Sequence, residues 1–369
     1  MKLKTTKQSL VEALSVSARA TSTRSALQAL SGVLVEATSS GTVVRATDAE
    51  ISLELALTAE VELPGSILVP GRLLADVSKT LPDGDVTLST REAEADLEIK
   101  AGSSKFHLRL LQADDFPKFP EVASEPVSLD AHAVAETIGR VAGAASTDEG
   151  RPVLTGVFMT ADGDSMTMVA TDSYRLAVKT TKLSSAVASQ IEANVPARAL
   201  RELSRLIEAA GGEAKLDLWL GENQAIFGCG GTRLASRLID GQFPNYKQLI
   251  PDKFDHEITV NREELLDVVR RVSQLAQRNA ALKLAFAEGE LTISAETQDL
   301  GDAKESMPVS FQGEALEVGF NPDFVRAGLE SIEDDEIVFK LISPLRPGLL
   351  EPTADGDFSY LVMPIRLND

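Results

Sequence analysis

Internal repetition constrains this chain more than any other feature. Val69-Pro70-Gly71-Arg72-Leu73-Leu74 returns 126 residues later as Val195-Pro196-Ala197-Arg198-Ala199-Leu200. It returns again, more weakly, as Asn321-Pro322-Asp323-Phe324-Val325, with the proline a further 126 residues on. Ala46-Thr47-Asp48-Ala49-Glu50 recurs as Ala170-Thr171-Asp172-Ser173-Tyr174 and faintly as Ala295-Glu296-Thr297; Phe116-Pro117-Lys118-Phe119-Pro120 recurs as Phe243-Pro244-Asn245-Tyr246-Lys247. Matches in the same order at near-equal offsets divide the 369 residues into three units of about 123. That period is too long for a solenoid repeat and implies three homologous globular domains.

Each unit carries the same elements. Leu10, Leu14 and Ala18, then Val134, Ile138 and Val141, then Leu265, Val268, Val269 and Val272 mark a first amphipathic helix in each copy. A second helix follows the repeated proline, which suits the first helical position because its missing N–H has no partner there anyway. Alternating runs such as Ile51–Leu57 and Asp96–Lys100 read as strands with one buried face. The fold class is therefore α+β, two helices packed on antiparallel sheets in each of three similar domains. Proline and charge interrupt the pattern at 121–126 and near 249–254, placing the domains at 1–121, 127–248 and 249–369.

The chain holds 56 Asp and Glu against 36 Lys and Arg, a net charge of −20, so a domain-wide basic footprint for nucleic acid is absent. Helices expected at 7–24, 71–80, 131–147, 197–210, 262–279 and 322–331 nevertheless carry 14 basic and 10 acidic residues. Arg is a good helix former on any solvated face. The functional alternative is that basic helix faces share one surface, with Arg24, Arg72, Lys79, Arg198, Arg201 and Arg205 making sequence-independent, salt-sensitive phosphate contacts with DNA. An acidic exterior would then repel the polyanion elsewhere.

Catalytic chemistry has little to draw on. His107, His132 and His256 lie far apart in unlike contexts, and His107 sits in a strand-like run with no partner motif. Gly228-Cys229-Gly230-Gly231 continues into Thr232–Ala235 as another strand rather than the helix a nucleotide loop requires. A single cysteine, Cys229, excludes an intrachain disulfide and a zinc site built on paired cysteines, and it fits a reducing compartment. With no long apolar run and no apolar block near Met1, the chain reads as soluble and cytoplasmic. No metal or cofactor is called for. The competing enzymatic reading is a Mg²⁺-dependent nuclease or nucleotidyl transferase using Asp48, Glu50 or Asp172, although Asp at a repeated turn more often braces backbone amides.

Three segments, taken with the threefold repeat, carry a resemblance over the full chain. They are Ala170–Ala177, Asp240-Gly241-Gln242-Phe243-Pro244-Asn245-Tyr246, and Tyr360-Leu361-Val362-Met363-Pro364-Ile365-Arg366-Leu367. Together they resemble the bacterial sliding-clamp family, the β subunit of DNA polymerase III. The resemblance implies that the three DNA-clamp domains form half of a six-domain, head-to-tail homodimeric ring. Helices would line the hole around duplex DNA, and the ring would confer processivity on the replicative polymerase. A size estimate agrees: domains roughly 35 Å across must number about six to surround a hydrated duplex. The resemblance further implies that Phe106 and Leu108 meet Val272 and Leu275 of the other copy.

It also implies a peptide-binding cleft between the second and third domains that captures linear motifs of the polymerase α subunit, the clamp loader, other polymerases and repair proteins. The matching positions are Leu154, Thr171, Ser173, Tyr174, Arg175, Leu176, Pro244, Leu345, Arg346, Pro347, Leu361, Val362, Met363, Pro364, Ile365 and Arg366. Independently, a Val-Met-Pro-Ile run near the chain end is unusual for a solvated tail, and Met suits adaptable binding surfaces. The same run also reads as the last strand of the third sheet, with alternate side chains facing core and groove.

Overall fold

A computed structural model describes residues 1–22, 24–121, 125–188, 190–211, 214–276, 281–297, 300–354 and 356–367. The backbone forms two eight-stranded and two five-stranded sheets, with every pairing between named strands antiparallel. Among the described residues six α-helices accompany them: α1 (Lys7–Ser17), α2 (Gly71–Thr80), α3 (Ala131–Val141), α4 (Ala197–Ala210), α5 (Arg262–Val272) and α6 (Pro322–Glu330). Among the described residues no helix is long and apolar enough to cross a membrane.

The chain separates into two compact units. Unit 1 holds Met1–Ala131 with Arg205–Leu238, and unit 2 holds His132–Ser204 with Ile239–Asp369. In unit 1 the eight-stranded sheet runs, in spatial order, Val127–Asp130, Lys215–Leu220, Gln224–Cys229, Thr232–Arg237, Ile51–Leu57, Gly41–Thr47, Gly32–Thr38 and Gly65–Pro70. Strands of the first and second repeats thus share one hydrogen-bonded ladder, joined where Leu234 opposes Leu53. In unit 2 the order is His256–Asn261, Glu336–Leu341, Gly348–Pro352, Phe358–Val362, Arg175–Lys182, Ser165–Thr171, Gly156–Asp162 and Ile191–Pro196. Second and third repeats join there, with Leu361 opposite Leu176. The two sheets repeat one strand order, so paired strand positions in one can be matched to those in the other.

A five-stranded sheet completes each unit. In unit 1 it runs Ala59–Leu63, Lys2–Thr6, Asp85–Arg91, Asp96–Ala101 and Ser104–Arg109; in unit 2, Gly301–Pro308, Glu290–Thr297, Leu282–Ala287, Leu316–Phe320 and Pro364–Ile365. α1 packs on α2, and α5 on α6. α6 lies close against its sheet because Gly328 faces the Tyr360 ring, where an added Cβ would stand 2.6 Å from ring carbon Cδ1. Polar caps begin the helices: Thr6 Oγ1 accepts from Ser9 N at 3.1 Å and Asn261 Oδ1 from Glu264 N at 2.9 Å.

Three helical expectations are corrected. The first helix stops at Ser17 rather than residue 24, passing through the 3₁₀ turn Ala18–Ala20. Its Ser/Thr-rich end competes for the backbone: Thr21 Oγ1 donates to Ala18 O at 2.8 Å. α3 and α5 likewise end in the 3₁₀ turns Ala142–Ala144 and Ser273–Leu275 instead of reaching 147 and 279, the latter lying outside the described residues. The repeated proline occupies the first helical position only at Pro322; Pro70 and Pro196 are the last residues of edge strands, where a missing N–H is tolerated.

The Thr-Asp turn is built identically in both units. Thr47 Oγ1 donates to Ile51 O at 2.9 Å and accepts from Ala49 N at 3.1 Å; Asp48 Oδ1 accepts from Glu50 N and Ile51 N at 3.1 and 3.0 Å. Thr171 Oγ1 donates to Arg175 O at 2.6 Å and accepts from Ser173 N at 3.1 Å, and Asp172 Oδ1 accepts from Tyr174 N and Arg175 N at 2.9 and 3.0 Å. These bonds hold Ala49 and Ser173 in the left-handed region, at φ of 76° and 81°, which L-residues otherwise avoid. Asp48→Ala and Asp172→Ala should each lower stability by about 2 kcal/mol, because two backbone amides lose a charged acceptor. Denaturant unfolding of each variant against the parent chain measures this.

Candidate functional site

In unit 2 the Thr171–Arg175 turn projects side chains beside an apolar surface. Val169, Leu176, Phe243, Leu349 and Leu361 form its buried floor. Val153, Phe158, Val178, Tyr246, Ile250, Phe254 and Met363 pack on it and remain partly open to solvent. Strand register supplies most of this, since Leu361 lies opposite both Leu176 and Leu349. The Phe158 and Phe243 rings stack at 5.0 Å with 8° between planes, tying the 243–250 segment to the sheet. Met363 is anchored beside the turn by its N–H, which donates to Tyr174 O at 2.8 Å.

Tyr174 is 59% exposed beside this surface, and Leu345, in the connection that leads into the strand of Leu349, is 64% exposed. Tyr174 stacks on Phe324 of α6 with ring centroids 6.5 Å apart. The Arg175 guanidinium lies 4.7 Å from the Phe324 ring centroid, and Arg175 Nε donates to Asp172 Oδ2 at 3.0 Å. Burial opposes the charge on Arg175, but the neighbouring Tyr360 and Asp172 outweigh it and raise its pKa. Arg151 Nη1 donates to Ser173 Oγ at 3.1 Å, bracing the turn from the opposite side. The result is a rigid backbone frame presenting aromatic, thioether and aliphatic surface beside a guanidinium, an arrangement suited to a short apolar peptide.

Most of the residues singled out for a cleft come together here. Thr171, Leu176, Leu361 and Val362 are buried within the paired strands, Leu154 is buried beside Val153, and Ser173, Tyr174 and Pro244 are exposed. Leu345, Arg346 and Pro347 are the second half of the six-residue connection 342–347 between Glu336–Leu341 and Gly348–Pro352. Pro364, Ile365 and Arg366 diverge: Pro364–Ile365 joins the five-stranded sheet opposite Phe320 and Gly319, while Phe358–Val362 stays in the eight-stranded one. The Val-Met-Pro-Ile run therefore spans two sheets rather than forming one last strand, and Met363 lies at the crossover. Val153, Phe158, Tyr246, Ile250 and Phe324 also belong to the surface. Phe243 and Tyr246 stood in the sequence as repeat markers and within a segment that carries the resemblance, and Phe324 as a repeat marker alone; none was named for the cleft.

All six basic candidates are exposed. Arg72 and Lys79 share one face of α2, seven residues apart, and Arg198, Arg201 and Arg205 share one face of α4 at spacings of three and four. Arg201 Nη2 also donates to Ala142 O at 2.6 Å. Arg24 is not helical but lies beyond the turn that ends the first helix. With the observed boundaries the six α-helices hold eleven basic and ten acidic residues, so the expected helical excess of four charges shrinks to one. Arg19 and Arg24 fall outside α1, Arg278 lies outside the described residues, and net positive charge survives only on α2 and α4.

Of the four residues expected at an interface, Leu108 and Val272 are buried at 7% and 2% by their own unit, which makes Val272 a core residue; Phe106 and Leu275 are half-buried. Ser104–Arg109, which carries Phe106 and Leu108, is an edge strand. His107 there lies 3.8 Å from Asp96 and 3.9 Å from Glu98. Hydrogen bonds from Lys100 and Lys105 hold the Glu98 carboxyl down to about 2. Among the described residues no group of three or more His, Cys, Asp or Glu could hold a metal ion. The Asp48 and Asp172 carboxylates are committed to backbone amides instead.

Burial pushes the Tyr360 phenol up to about 12 against the opposing pull of Arg175. Because the buried form is neutral, its contribution to stability is complete below about pH 10 and disappears as pH rises toward 12. Tyr360→Phe should therefore flatten the fall in melting temperature across that window, as followed by thermal denaturation at stepped alkaline pH.

Comparison with known proteins supplies the last finding. Family models described as the N-terminal, central and C-terminal domains of DNA polymerase III beta subunit match residues 1–120, 128–245 and 247–366. The chain is 36% identical to the beta sliding clamp of Synechococcus elongatus and 32% identical to that of Streptomyces coelicolor, covering 100% of both partners in each case. The solved DNA polymerase sliding clamp of Bacillus subtilis superposes with a TM-score of 0.94 at 28% identity, over 100% of both chains. A Pseudomonas aeruginosa sliding clamp bound to griselimycin gives 0.92 at 29% identity, also over 100% of both.

Proposed function

The chain belongs to the DNA polymerase III beta subunit family, and on that premise we propose that two copies close head to tail into a ring of six domains around duplex DNA. It is a sliding clamp of DNA replication, a processivity factor rather than an enzyme. The domains of the proposed ring are 1–121, 127–248 and 249–369. The exposed faces of α2 and α4, with Arg24, meet the phosphates, and such contacts hold DNA without reading its sequence and so permit sliding.

Ring closure is supported by the open edges of the five-stranded sheets. Ser104–Arg109 carries Lys105 and Arg109 and no carboxylate, and Gly301–Pro308 carries Asp302 and Glu305 against the single Lys304. An edge strand left unpaired invites another chain, and these two edges bring opposite charges to the junction. Phe106 and Leu275 are the half-buried apolar residues available beside it.

The observation that carries the recruitment reading is the apolar surface of unit 2, with Tyr174 and Leu345 more than half exposed. We assign it to linear motifs of the polymerase α subunit, the clamp loader, other polymerases and repair proteins, in a cytoplasmic, nucleoid-associated setting.

On a loaded primer template the clamp should remain on circular DNA and run off after linearisation; equal retention on both forms would remove the topological mechanism. Sedimentation should give twice the 39.4 kDa chain mass. Leu345→Ala combined with Met363→Ala should weaken a polymerase-derived peptide at least tenfold, about 1.4 kcal/mol, measured by fluorescence anisotropy.

A further inference from the structure

The two eight-stranded sheets build the same frame twice, yet line it differently. Their shared register makes the comparison residue by residue, anchored on the Thr47-Asp48 and Thr171-Asp172 turns. Met363 N donates to Tyr174 O in unit 2, and Arg237 N donates to Glu50 O in unit 1. Leu176 faces Leu361 where Ser52 faces Ala235. Val169 pairs with Val178 where Arg45 pairs with Glu54, and Val178 faces Ser359 where Glu54 faces Arg233. At the position of the thioether of Met363 stands the cation of Arg237.

Those substitutions replace an apolar floor by a connected ion network. Arg45 Nε donates to Glu54 Oε2 at 2.6 Å and Arg45 Nη1 to Glu36 Oε2 at 2.7 Å, while Arg233 Nε donates to Glu54 Oε1 at 2.8 Å. Phe119, in the segment matching Tyr246, covers the Arg233 guanidinium at 4.9 Å. A cavity of about 580 Å³ opens here, lined by Leu34, Arg45, Glu54, Phe116, Phe119 and Arg233 among others. Space is therefore present. Its chemistry is what differs. Burial alone would push the Glu54 carboxyl up, and its two arginines hold it below the ordinary range, so the network stays charged. The guanidinium side chains retain 28% and 40% exposure. An apolar side chain set over them would strip that water without offering a hydrogen bond in return. The connection corresponding to the Leu345 loop is also shorter, three residues between Lys215–Leu220 and Gln224–Cys229 against six in unit 2.

We infer that Arg45, Glu54 and Arg233 are specificity determinants: they close the first of two equivalent sites to apolar peptides and leave each chain with a single one. The inference rests on reading the unit 2 surface as the peptide site. One physical consequence is that partners compete for one seat per chain instead of occupying two inequivalent ones.

The test uses full-length chain and a fluorescein-labelled peptide with leucine and phenylalanine anchors, read by anisotropy and calorimetric stoichiometry. The parent chain takes one peptide per chain, and Leu345→Asp with Met363→Glu removes it. If those two changes leave affinity and stoichiometry unaltered, the unit 2 reading fails and the inference falls with it. In that disabled background, Arg45→Val, Glu54→Val and Arg233→Ser, the residues at the equivalent unit 2 positions, should raise affinity at least tenfold. No gain in a variant that melts as the parent does overturns the inference while the unit 2 reading stands. The reciprocal change decides the matter if the transplant does not fold. Val178→Glu with Ser359→Arg places the ion pair in unit 2 and should weaken peptide binding at least tenfold at unchanged melting temperature. Undiminished binding by that variant overturns it equally.

Discussion

Everything distinctive about this molecule depends on strands of neighbouring repeats completing one another's sheets. Thr232–Arg237 pairs with Ile51–Leu57, and Phe358–Val362 pairs with Arg175–Lys182. Each ladder buries apolar residues on both sides of a repeat boundary, Leu53 with Leu234 and Leu176 with Leu361, so the boundary becomes continuous core rather than a hinge. This also explains why the compact units number two while the sequence repeats three times. The middle repeat is divided, its strands at 127–130 and 215–237 in one unit and those at 156–196 in the other.

A shared ladder fixes what stands beside the Thr-Asp turn. The turn's position is set locally, by Thr and Asp side chains that take over backbone hydrogen bonds and hold one residue in the left-handed region. What it presents is set across the boundary, because the partner strand comes from a different repeat. Tyr174, Phe324 and Met363 are scattered over almost two hundred residues and come together through that pairing. Unit 1 demonstrates that the frame by itself confers no apolar surface: with Arg45, Glu54 and Arg233 at the matching positions, the same geometry carries an ion network. Separating frame from lining lets duplication supply the scaffold while a few side chains decide whether its surface is apolar or charged.

The charge pattern shows where local reading falls short. Runs expected to continue as helix through Arg24 end at Ser17, because Ser and Thr side chains capture carbonyls that another helical turn would need. That shift of a few residues removes two of the four excess helical charges, the earlier end of α5 removes a third, and net positive charge is left on α2 and α4. All six chosen basic residues are exposed, and on α4 Arg198, Arg201 and Arg205 lie away from the buried Leu200, Leu203 and Ile207. Val272 resolved the other way. An apolar residue at helical spacing belongs by default to its own core, and here it does.

Three homologous units, their α+β character, the repeated turn and the family were all legible from residue order alone, because periodicity, caps and turn chemistry are local and the repeat supplies its own internal comparison. Of the unit 2 apolar surface, Leu176, Leu361 and Met363 were legible by resemblance. Its aromatic flank at Phe158, Tyr246 and Phe324 was not, nor was the divided path of the last strand. Only the tertiary structure decided which strands crossed the repeat boundaries, and with that whether a given position faced leucine or arginine. Register between distant strands is a collective result of burial across a whole sheet, and no short stretch of the chain encodes its partner.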